Sequence, residues 1–193
     1  MQVFGPMRET STGSMRGYFG IGVERISKAM NAGSIMRSAH AFGASFVFTI
    51  GAVYPTREGA RADTSKAPQH LPLYEFDDVG SLRLPRGCQL VGIELIDAAI
   101  ELPSFRHPRR CAYVLGPERG SLSPELVARC DHVVKIPTRF CVNVGIAAAI
   151  VMYDRVTTRG RFAERPVASG GPVEGPPSHE FGPPRIRRKA DSP

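Results

Sequence analysis

The stretch Cys111-Ala112-Tyr113-Val114-Leu115-Gly116-Pro117-Glu118-Arg119-Gly120-Ser121 decides the fold. Its apolar opening, up to Leu115, predicts a buried strand, and Gly116-Pro117 ends that strand in a tight loop. Gly116 and Gly120 let the loop backbone come close to a ligand, although both can also be ordinary turn glycines. In an open α/β sheet, ligands bind beyond the carboxyl ends of the strands. The loop after Leu115 is therefore the first candidate for a binding site.

The residues that follow repeat this organisation. Residues 124–129 predict a short helix, and 132–136 predict a second buried strand that ends at Pro137. A long apolar segment from Asn143 to about Arg159 predicts a helix, for which Asn143 is a suitable N-cap.

Strands and helices also alternate in the first half of the chain. Residues 18–23, 46–50 and 88–95 predict strands, and 73–76 predict a short edge strand. A helical apolar stripe follows Asn31, which can serve as its N-cap, and ends near Gly43. The alternation predicts an α/β fold with a mostly parallel sheet flanked by helices. No G-x-G-x-x-G sequence follows the first strand, and no P-loop is present, which argues against the usual dinucleotide and nucleoside-triphosphate sites.

Length and composition indicate one domain with appended ends. The chain has 193 residues, of which 42% are hydrophobic. We predict a loose leader over residues 1–16 (with Met15 as an alternative start), a domain over 17–162 and a disordered tail over 163–193 that is rich in Pro, Gly and basic residues. This tail either adds non-specific RNA affinity or is a tolerated appendage.

The charge balance points to a polyanionic partner. A formal net charge of +7 favours nucleic acid, although the same charge also serves solubility. The polar segment between about residues 54 and 71 has no core-forming pattern and is either a mobile solvated loop or a phosphate-binding one. Its candidate RNA-binding residues are Arg57, Arg61 and Lys66.

Other classes are disfavoured. No apolar run is long enough to span a bilayer and no secretory signal is visible, so we expect a cytoplasmic protein with reduced thiols. The scattered His and Cys residues lack the spacing of a metal site, and no metal is expected.

Three blocks in order resemble the SpoU-type (TrmH-like) RNA 2′-O-ribose methyltransferases of the SPOUT superfamily. They are the segments 31–39 (NAGSIMRSA), 114–122 (VLGPERGSL) and 136–147, the last with Ile136-Pro137 and Val142-Asn143-Val144-Gly145. The resemblance covers about residues 18–159. It implies a domain whose C-terminal part forms a deep trefoil knot, S-adenosyl-L-methionine as the cofactor, a homodimer, and a ribose 2′-hydroxyl of tRNA or otherwise rRNA as the substrate, without a metal.

The resemblance also implies roles for individual residues. The cofactor would contact Ile93, Glu94, Gly116, Ile136, Cys141 and Val142. The catalytic positions would be Asn31, Arg37, Glu118 and Asn143. The family pattern makes Arg37 the base, but a guanidinium rarely gives up its proton, so we expect Arg37 to orient a phosphate and stabilise the developing alkoxide. Cys141 stands where the family usually has Ser, which keeps the size but weakens the hydrogen bonding.

Several alternatives remain open from the sequence. Arg37 can simply be a solvated helix residue, Glu118 can cap loop amides or pair with Arg119, and Asn143 can be a plain N-cap. A non-catalytic RNA-binding protein on the same fold is the main competing hypothesis, and methylation of a base instead of a ribose is a third.

Overall fold

The computed structural model describes residues 17–53, 71–160, 162, 165–166 and 168–171. These residues form an α/β unit of seven strands and three α-helices. The strands are β1 (Tyr18–Glu24), β2 (Phe46–Ile50), β3 (Leu73–Phe76), β4 (Gln89–Ile93), β5 (Ile100–Glu101), β6 (Arg110–Leu115) and β7 (His132–Lys135). The helices are α1 (Ala29–Ala41), α2 (Pro124–Arg129) and α3 (Val144–Arg159), with a 3₁₀ turn at Leu102–Ser104.

The strands form one sheet in the order β3-β2-β1-β6-β4-β7-β5, and every pairing is parallel. The prediction of a mostly parallel α/β sheet is therefore confirmed, and so is the edge position of β3. The decisive strand β6 lies between β1 and β4, with Tyr113 opposite Ile21 on one side and Val91 on the other. Because all strands are parallel, their carboxyl ends meet at one edge of the sheet.

Both faces of the sheet are buried, as expected for parallel strands. On β6, Cys111, Tyr113 and Leu115 point to the face covered by α1 and α3, and their side chains are at most 2% exposed. Ala112 and Val114 point to the opposite face, where they join a second cluster with Leu126 of α2. Because β6 is buried on both faces, its sequence is a continuous apolar run and not an alternation of apolar and polar residues.

Two glycines of β1 make room for aromatic rings on the second face. A Cβ at Gly20 would lie 2.2 Å from the Phe46 ring, and a Cβ at Gly22 would lie 2.4 Å from the Phe48 ring. Phe46 and Phe48 are 8% and 0% exposed. The rings of β2 therefore lie directly across the backbone of β1, which explains why this strand alternates Gly with large residues.

The helix boundaries correct one prediction and confirm another. Asn31 is not an N-cap: α1 begins at Ala29 after Lys28, and Asn31 lies inside the helix, 5% exposed. Gly43, just beyond the end of α1, has a φ of +74°, in agreement with the predicted glycine stop. Asn143 does cap α3, because its side-chain oxygen accepts a hydrogen bond from the Gly145 N–H.

A buried polar network joins α3 to the amino ends of β1 and β6. The guanidinium of Arg155, 2% exposed, donates to the carbonyl oxygens of Pro108, Arg109 and Tyr18 at 2.7, 3.1 and 3.3 Å. Beside it, His107 contacts the Tyr113 hydroxyl through Nδ1 and the Asp154 carboxylate through Nε2. Burial lowers the pKa of His107, against the opposite effect of Asp154, so the ring is held neutral.

The predicted domain limits stay predictions. The helices and strands belong to a compact unit that ends at Arg161. Residues 162, 165–166 and 168–171 contain no helix or strand, and the predicted leader and most of the predicted tail lie outside the described residues. No helix in the described part of the chain is long and apolar enough to cross a bilayer. The cytoplasmic location also stays a prediction.

Candidate active site

A cavity of about 270 Å³ opens at the carboxyl edge of the sheet. It lies between the loops that follow β4, β6 and β7 and the first turns of α1 and α3. The structure brings together all six residues predicted to contact a cofactor and three of the four predicted catalytic residues. These are Ile93, Glu94, Gly116, Ile136, Cys141, Val142, Asn31, Glu118 and Asn143.

Two carboxylates at strand ends hold the loop between Gly116 and Ser123. Glu94, directly after β4, accepts hydrogen bonds from the Leu122 N–H at 2.6 Å and from its neighbour Leu95 at 2.9 Å. Glu24, the last residue of β1, accepts from the Ser123 N–H at 2.7 Å and is 3% exposed. The loop is thus tied to both strands that flank β6. Sequence reasoning missed Glu24, whose only signal is a carboxylate at the end of a buried strand.

Glu118 caps the beginning of α1. Its Oε2 accepts from the Ser27 N–H at 3.2 Å and the Ser27 hydroxyl at 2.9 Å. Its Oε1 accepts from the Lys28 N–H and the Asn31 side-chain amide, each at 3.0 Å. Burial alone would raise the pKa of this carboxyl, but the hydrogen bonds from Asn31 and Ser27 outweigh it and lower the pKa. Glu118 is therefore an ionised hydrogen-bond acceptor, not a general acid.

A continuous chain of side-chain hydrogen bonds joins three residues that line the cavity. Asn31 donates to Glu118, and its oxygen accepts from the Asn143 amide at 3.1 Å. Asn143 in turn accepts from the Gly145 N–H at 2.9 Å. The predicted structural role of Asn143 and its predicted place in the site therefore coincide.

Gly116, which lines the cavity, and Gly145, at the start of α3, are both tightly packed. A Cβ at Gly116 would lie 3.0 Å from the backbone nitrogen of Leu122 and 3.2 Å from the carbonyl carbon of Ser121. A Cβ at Gly145 would lie 3.0 Å from the Ser34 hydroxyl. Gly120 has a φ of +119°, which other residues rarely adopt. The glycines therefore shape the loop itself as well as its approach to a ligand.

The cavity is lined about equally by polar and apolar groups. Gly120, which the sequence suggested could approach a ligand, lines the cavity, and so do residues that were not predicted: Lys28, Leu95, Leu115, Pro117, Thr138, Val144 and Ala147. Most of them are sequence neighbours of predicted residues, and the motifs could have found them by adjacency. Ala147 is one helical turn beyond Asn143 and faces the cavity only because α3 starts there.

The thiols differ sharply in their surroundings. Cys141 is exposed on the cavity loop, whereas Cys111 is fully buried and Cys88 and Cys130 are half-buried. Burial raises the pKa of Cys88 and of Cys130 to about 11. These three thiols are protonated at neutral pH; Cys111 belongs to the core, and Cys88 and Cys130 pack against it.

Arg37 does not join the cavity. Its side chain is exposed on α1 and is not among the cavity-lining residues. The predicted RNA contacts Arg57, Arg61 and Lys66 lie outside the described residues. Within the described ranges, no group of His, Cys, Asp or Glu side chains is arranged to hold a metal ion.

Comparison with known proteins identifies the family. Residues 19–153 match the model of the SpoU rRNA Methylase family, and the chain belongs to that family. This range contains β1 through most of α3 and every residue named in the cavity.

Individual relatives agree with this assignment. The tRNA (guanosine(18)-2'-O)-methyltransferase of Escherichia coli K12 is 26% identical over an alignment of 140 residues that covers 68% of this chain and 60% of that protein. An uncharacterized tRNA/rRNA methyltransferase of Archaeoglobus fulgidus is 30% identical over an alignment of 149 residues that covers 71% of this chain and 63% of that one. The chain thus spans less than two thirds of the length of these relatives.

Solved structures share the fold. The SpoU methyltransferase AviRb from Streptomyces viridochromogenes, in complex with AdoMet, superposes with a TM-score of 0.66 at 23% identity, covering 77% of this chain and 63% of that one. A protein from a study of 2-OH methylation of C/U34 on tRNA gives a TM-score of 0.62 at 24% identity, covering 74% of this chain and 98% of that chain. At these identities the likeness shows the fold alone.

Proposed function

We propose that the protein is an S-adenosyl-L-methionine-dependent RNA methyltransferase that transfers a methyl group to a ribose 2′-hydroxyl. The observation that carries this proposal is the cavity at the carboxyl edge. Loops that are far apart in the sequence meet there, and the residues predicted to contact the cofactor line this cavity together with Asn31, Glu118 and Asn143, which supports the proposal.

The lining of the cavity fits such a cofactor. Ile93, Leu115, Ile136 and Val142 offer apolar surface for a flat adenine ring, and the surrounding loops offer backbone groups for its polar edge. Both oxygens of Glu94 already accept backbone hydrogen bonds, so Glu94 would support the wall more than bind the ligand directly. When bound, the cofactor supplies an activated methyl group on a sulfonium.

The residues of the chain would position the second reactant. Asn31, Glu118 and Asn143 hold the first turns of α1 and α3 against the loop after β6, and so fix the mouth of the cavity. Arg37 is outside the lining, and we propose that it meets the RNA from the solvent side or is presented by a second copy of the chain. Its guanidinium would orient the phosphate next to the reacting ribose and stabilise the developing alkoxide.

We propose tRNA as the first substrate to test and rRNA as the second. The names of the E. coli and Archaeoglobus relatives support this order. The net charge of +7 suits either RNA. The basic residues Arg57, Arg61 and Lys66 remain proposed phosphate contacts.

We further propose a homodimer and a C-terminal trefoil knot. Ile146 and Tyr153 of α3 are each 55% exposed, which suits contact with a second copy. The chain inserts β6 between β1 and β4 and then returns past β4 to form β7, so that the loops before α2 and α3 lie side by side. This order of strands supports a threaded C-terminus.

Calorimetric titration of S-adenosyl-L-methionine into the purified protein tests the proposal. We expect saturable binding that is lost in Gly116→Val, where the side chain meets the Leu122 backbone. The matched control is Gly80→Val, at an exposed turn where a Cβ makes only ordinary contact with Asp78. Failure of the folded wild-type protein to bind, with or without bulk tRNA, would contradict the proposal and favour a non-catalytic RNA-binding protein.

Transfer of the methyl group is tested separately. The protein, cofactor and bulk tRNA or rRNA are incubated together, and the RNA is digested to nucleosides for mass spectrometry. We expect a mass increase on a ribose. An increase confined to bases would retain a methyltransferase but overturn the proposed 2′-hydroxyl acceptor.

A further inference from the structure

A second cavity adjoins the first and is lined by positive charge. It measures about 500 Å³ and is formed by the end of β1 and the loop after β6. Arg25, Lys28 and Arg119 line it, together with Ser27, Pro117 and Glu118. Three of these residues, Lys28, Pro117 and Glu118, also line the first cavity. The basic cavity therefore opens directly beside the proposed methyl-transfer site.

The positive charges in this cavity are not neutralised within the described part of the chain. The side chains of Arg25, Lys28 and Arg119 are exposed, and no described carboxylate lies within ion-pair distance of them. Glu118 is the acidic residue of the cavity, but its two oxygens accept hydrogen bonds from Ser27, the Lys28 N–H and Asn31. Its carboxylate is held by these neutral donors and not by the cations, so the cavity keeps an excess of positive charge and the three cations face solvent.

The backbone at Arg25 adds an independent observation. Arg25 has a φ of +47°, the one positive value at a described residue other than glycine. This left-handed conformation is held by a hydrogen bond from the Arg25 N–H to the Ile50 carbonyl oxygen at 2.7 Å. Such strain in a non-glycine residue is concentrated at functional sites. At this position it brings an arginine side chain to the carboxyl edge of the sheet, where the lining of the two cavities meets.

We propose that Arg25, Lys28 and Arg119 form a binding site for a phosphodiester group of the RNA strand. The proposal rests on the proposed function, since it names how the substrate is held beside the methyl-transfer cavity. Arginine forks and a lysine ammonium are the groups that bind phosphate oxygens. A phosphate held there positions the strand so that a neighbouring ribose reaches the first cavity. This site contributes positioning residues and takes no part in the proton transfer.

The test compares two double variants that remove the same charge. Arg25→Gln/Arg119→Gln removes two cations from the basic cavity. The control, Arg86→Gln/Arg106→Gln, removes two exposed arginines near the amino ends of the strands. RNA affinity is measured by fluorescence anisotropy with labelled tRNA over a range of salt concentrations, and cofactor affinity is measured by calorimetry.

We expect the cavity variant to bind tRNA about tenfold more weakly and to lower the slope of log K against log salt by about 1, because the site holds one phosphate and each phosphate contact releases about one counterion. We expect its cofactor affinity to stay within about twofold of the wild type, and the control variant to change RNA affinity by less than about threefold.

Three outcomes would overturn the proposal. Equal losses of RNA affinity in both double variants would mean that the RNA is attracted by the overall charge and not by this site. Weaker cofactor binding in the cavity variant would mean that these cations bind the carboxylate of the cofactor. Unchanged RNA affinity in the cavity variant would mean that these cations do not contact a phosphate. The salt dependence can be measured whether or not the wild-type protein methylates RNA. A failure of the methyltransferase proposal is therefore distinguishable from a failure of this one.

Discussion

The side-chain amide of Asn143 donates a hydrogen bond to the side-chain oxygen of Asn31 across 3.1 Å, although the two residues are 112 positions apart in the chain. The side-chain amide of Asn31 in turn donates a hydrogen bond to Glu118, 87 positions away, at 3.0 Å. The three sequence blocks of the family pattern thus meet through one run of hydrogen bonds. Each block also has a structural task, since Asn143 caps α3 and Glu118 caps α1.

Removing the central member of this run should loosen the cavity. In Asn31→Ala, both Glu118 and Asn143 lose a buried partner, and we expect a loss of about 1–3 kcal/mol in the free energy of unfolding. We expect cofactor affinity to fall about tenfold, or about 1.4 kcal/mol. Urea denaturation and calorimetry measure the two effects. Wild-type affinity in a folded Asn31→Ala protein would contradict the role given to this run.

The isosteric variant Asn31→Asp separates charge from shape. It keeps an acceptor for Asn143 but places a second carboxylate against Glu118. Like charges at hydrogen-bond distance destabilise the ionised pair, so we expect the destabilisation to be larger at pH 8 than at pH 5. Thermal unfolding at the two pH values measures this. A pH-independent loss would show that the two carboxylates do not interact.

Phenylalanine rings pack against the glycines of β1, so even a methyl group added at one of these glycines should lower the stability of the protein. In Gly22→Ala, the new methyl group would lie 2.4 Å from the Phe48 ring, which is fully buried. Overpacking of this kind costs about 1–3 kcal/mol of unfolding free energy. Gly80→Ala, in an exposed turn where the Cβ has ordinary contacts, is the control and should change stability by less than about 0.5 kcal/mol. Equal effects in chemical denaturation would contradict the packing argument.

His107 predicts how stability depends on pH. Burial lowers its pKa below the ordinary value of 6.5, so the unfolded chain binds the proton more readily than the folded one. The contribution of His107 to the free energy of unfolding should therefore be complete above pH 6.5 and decrease as the pH falls below that value. The contribution of Glu118, whose pKa is also lowered, is lost only at pH values below its usual 4.5.

The variant His107→Phe tests this assignment, because phenylalanine fills the space between Phe105 and Tyr113 and cannot titrate. Melting temperatures between pH 7.5 and pH 5.5 should decline less steeply in the variant than in the wild type. Parallel slopes would show that another group causes the decline.

The exposure of Cys141 predicts selective alkylation. Iodoacetamide at neutral pH should modify Cys141 first, since Cys111 is buried and the pKa values of Cys88 and Cys130 are raised to about 11. Cys141 lines the cavity, so S-adenosyl-L-methionine should slow its modification several-fold. Peptide mass spectrometry reads out both results. In the control variant Cys141→Ser, the fast modification should disappear. The remaining thiols should be modified at the same rate with and without the cofactor.

The sequence predicted much of this fold because local patterns decide most of its elements. Strands β1, β2, β3, β4, β6 and β7 were expected close to where they lie, and the start of α3 at Asn143 follows from N-cap chemistry. The start of α1 was predicted wrongly at Asn31. The cap of α1 is supplied by Glu118, which lies far along the chain, so no local pattern shows it. Asn31 therefore lies inside the helix and not at its start.

The site is assembled by hydrogen bonds between residues that are far apart in the chain, and a single sequence does not reveal such contacts. The motifs predicted the lining residues around Gly116 and Val142, but not that Glu24 fastens the same loop from β1. They also placed Arg37 among the catalytic residues, although its side chain lies outside the cavity lining. A position along a helix fixes the direction of a side chain only when the packing of that helix is known.

The place of β6 between β1 and β4 has a consequence for the order in which the protein is made. Until residue 115 has left the ribosome, β1 and β4 have no strand between them, and until α3 is complete one face of the sheet is covered by α1 alone. The cavity needs Asn143 from the very start of that last helix. We therefore expect a nascent chain to hold the proposed cofactor only after translation has passed the start of α3.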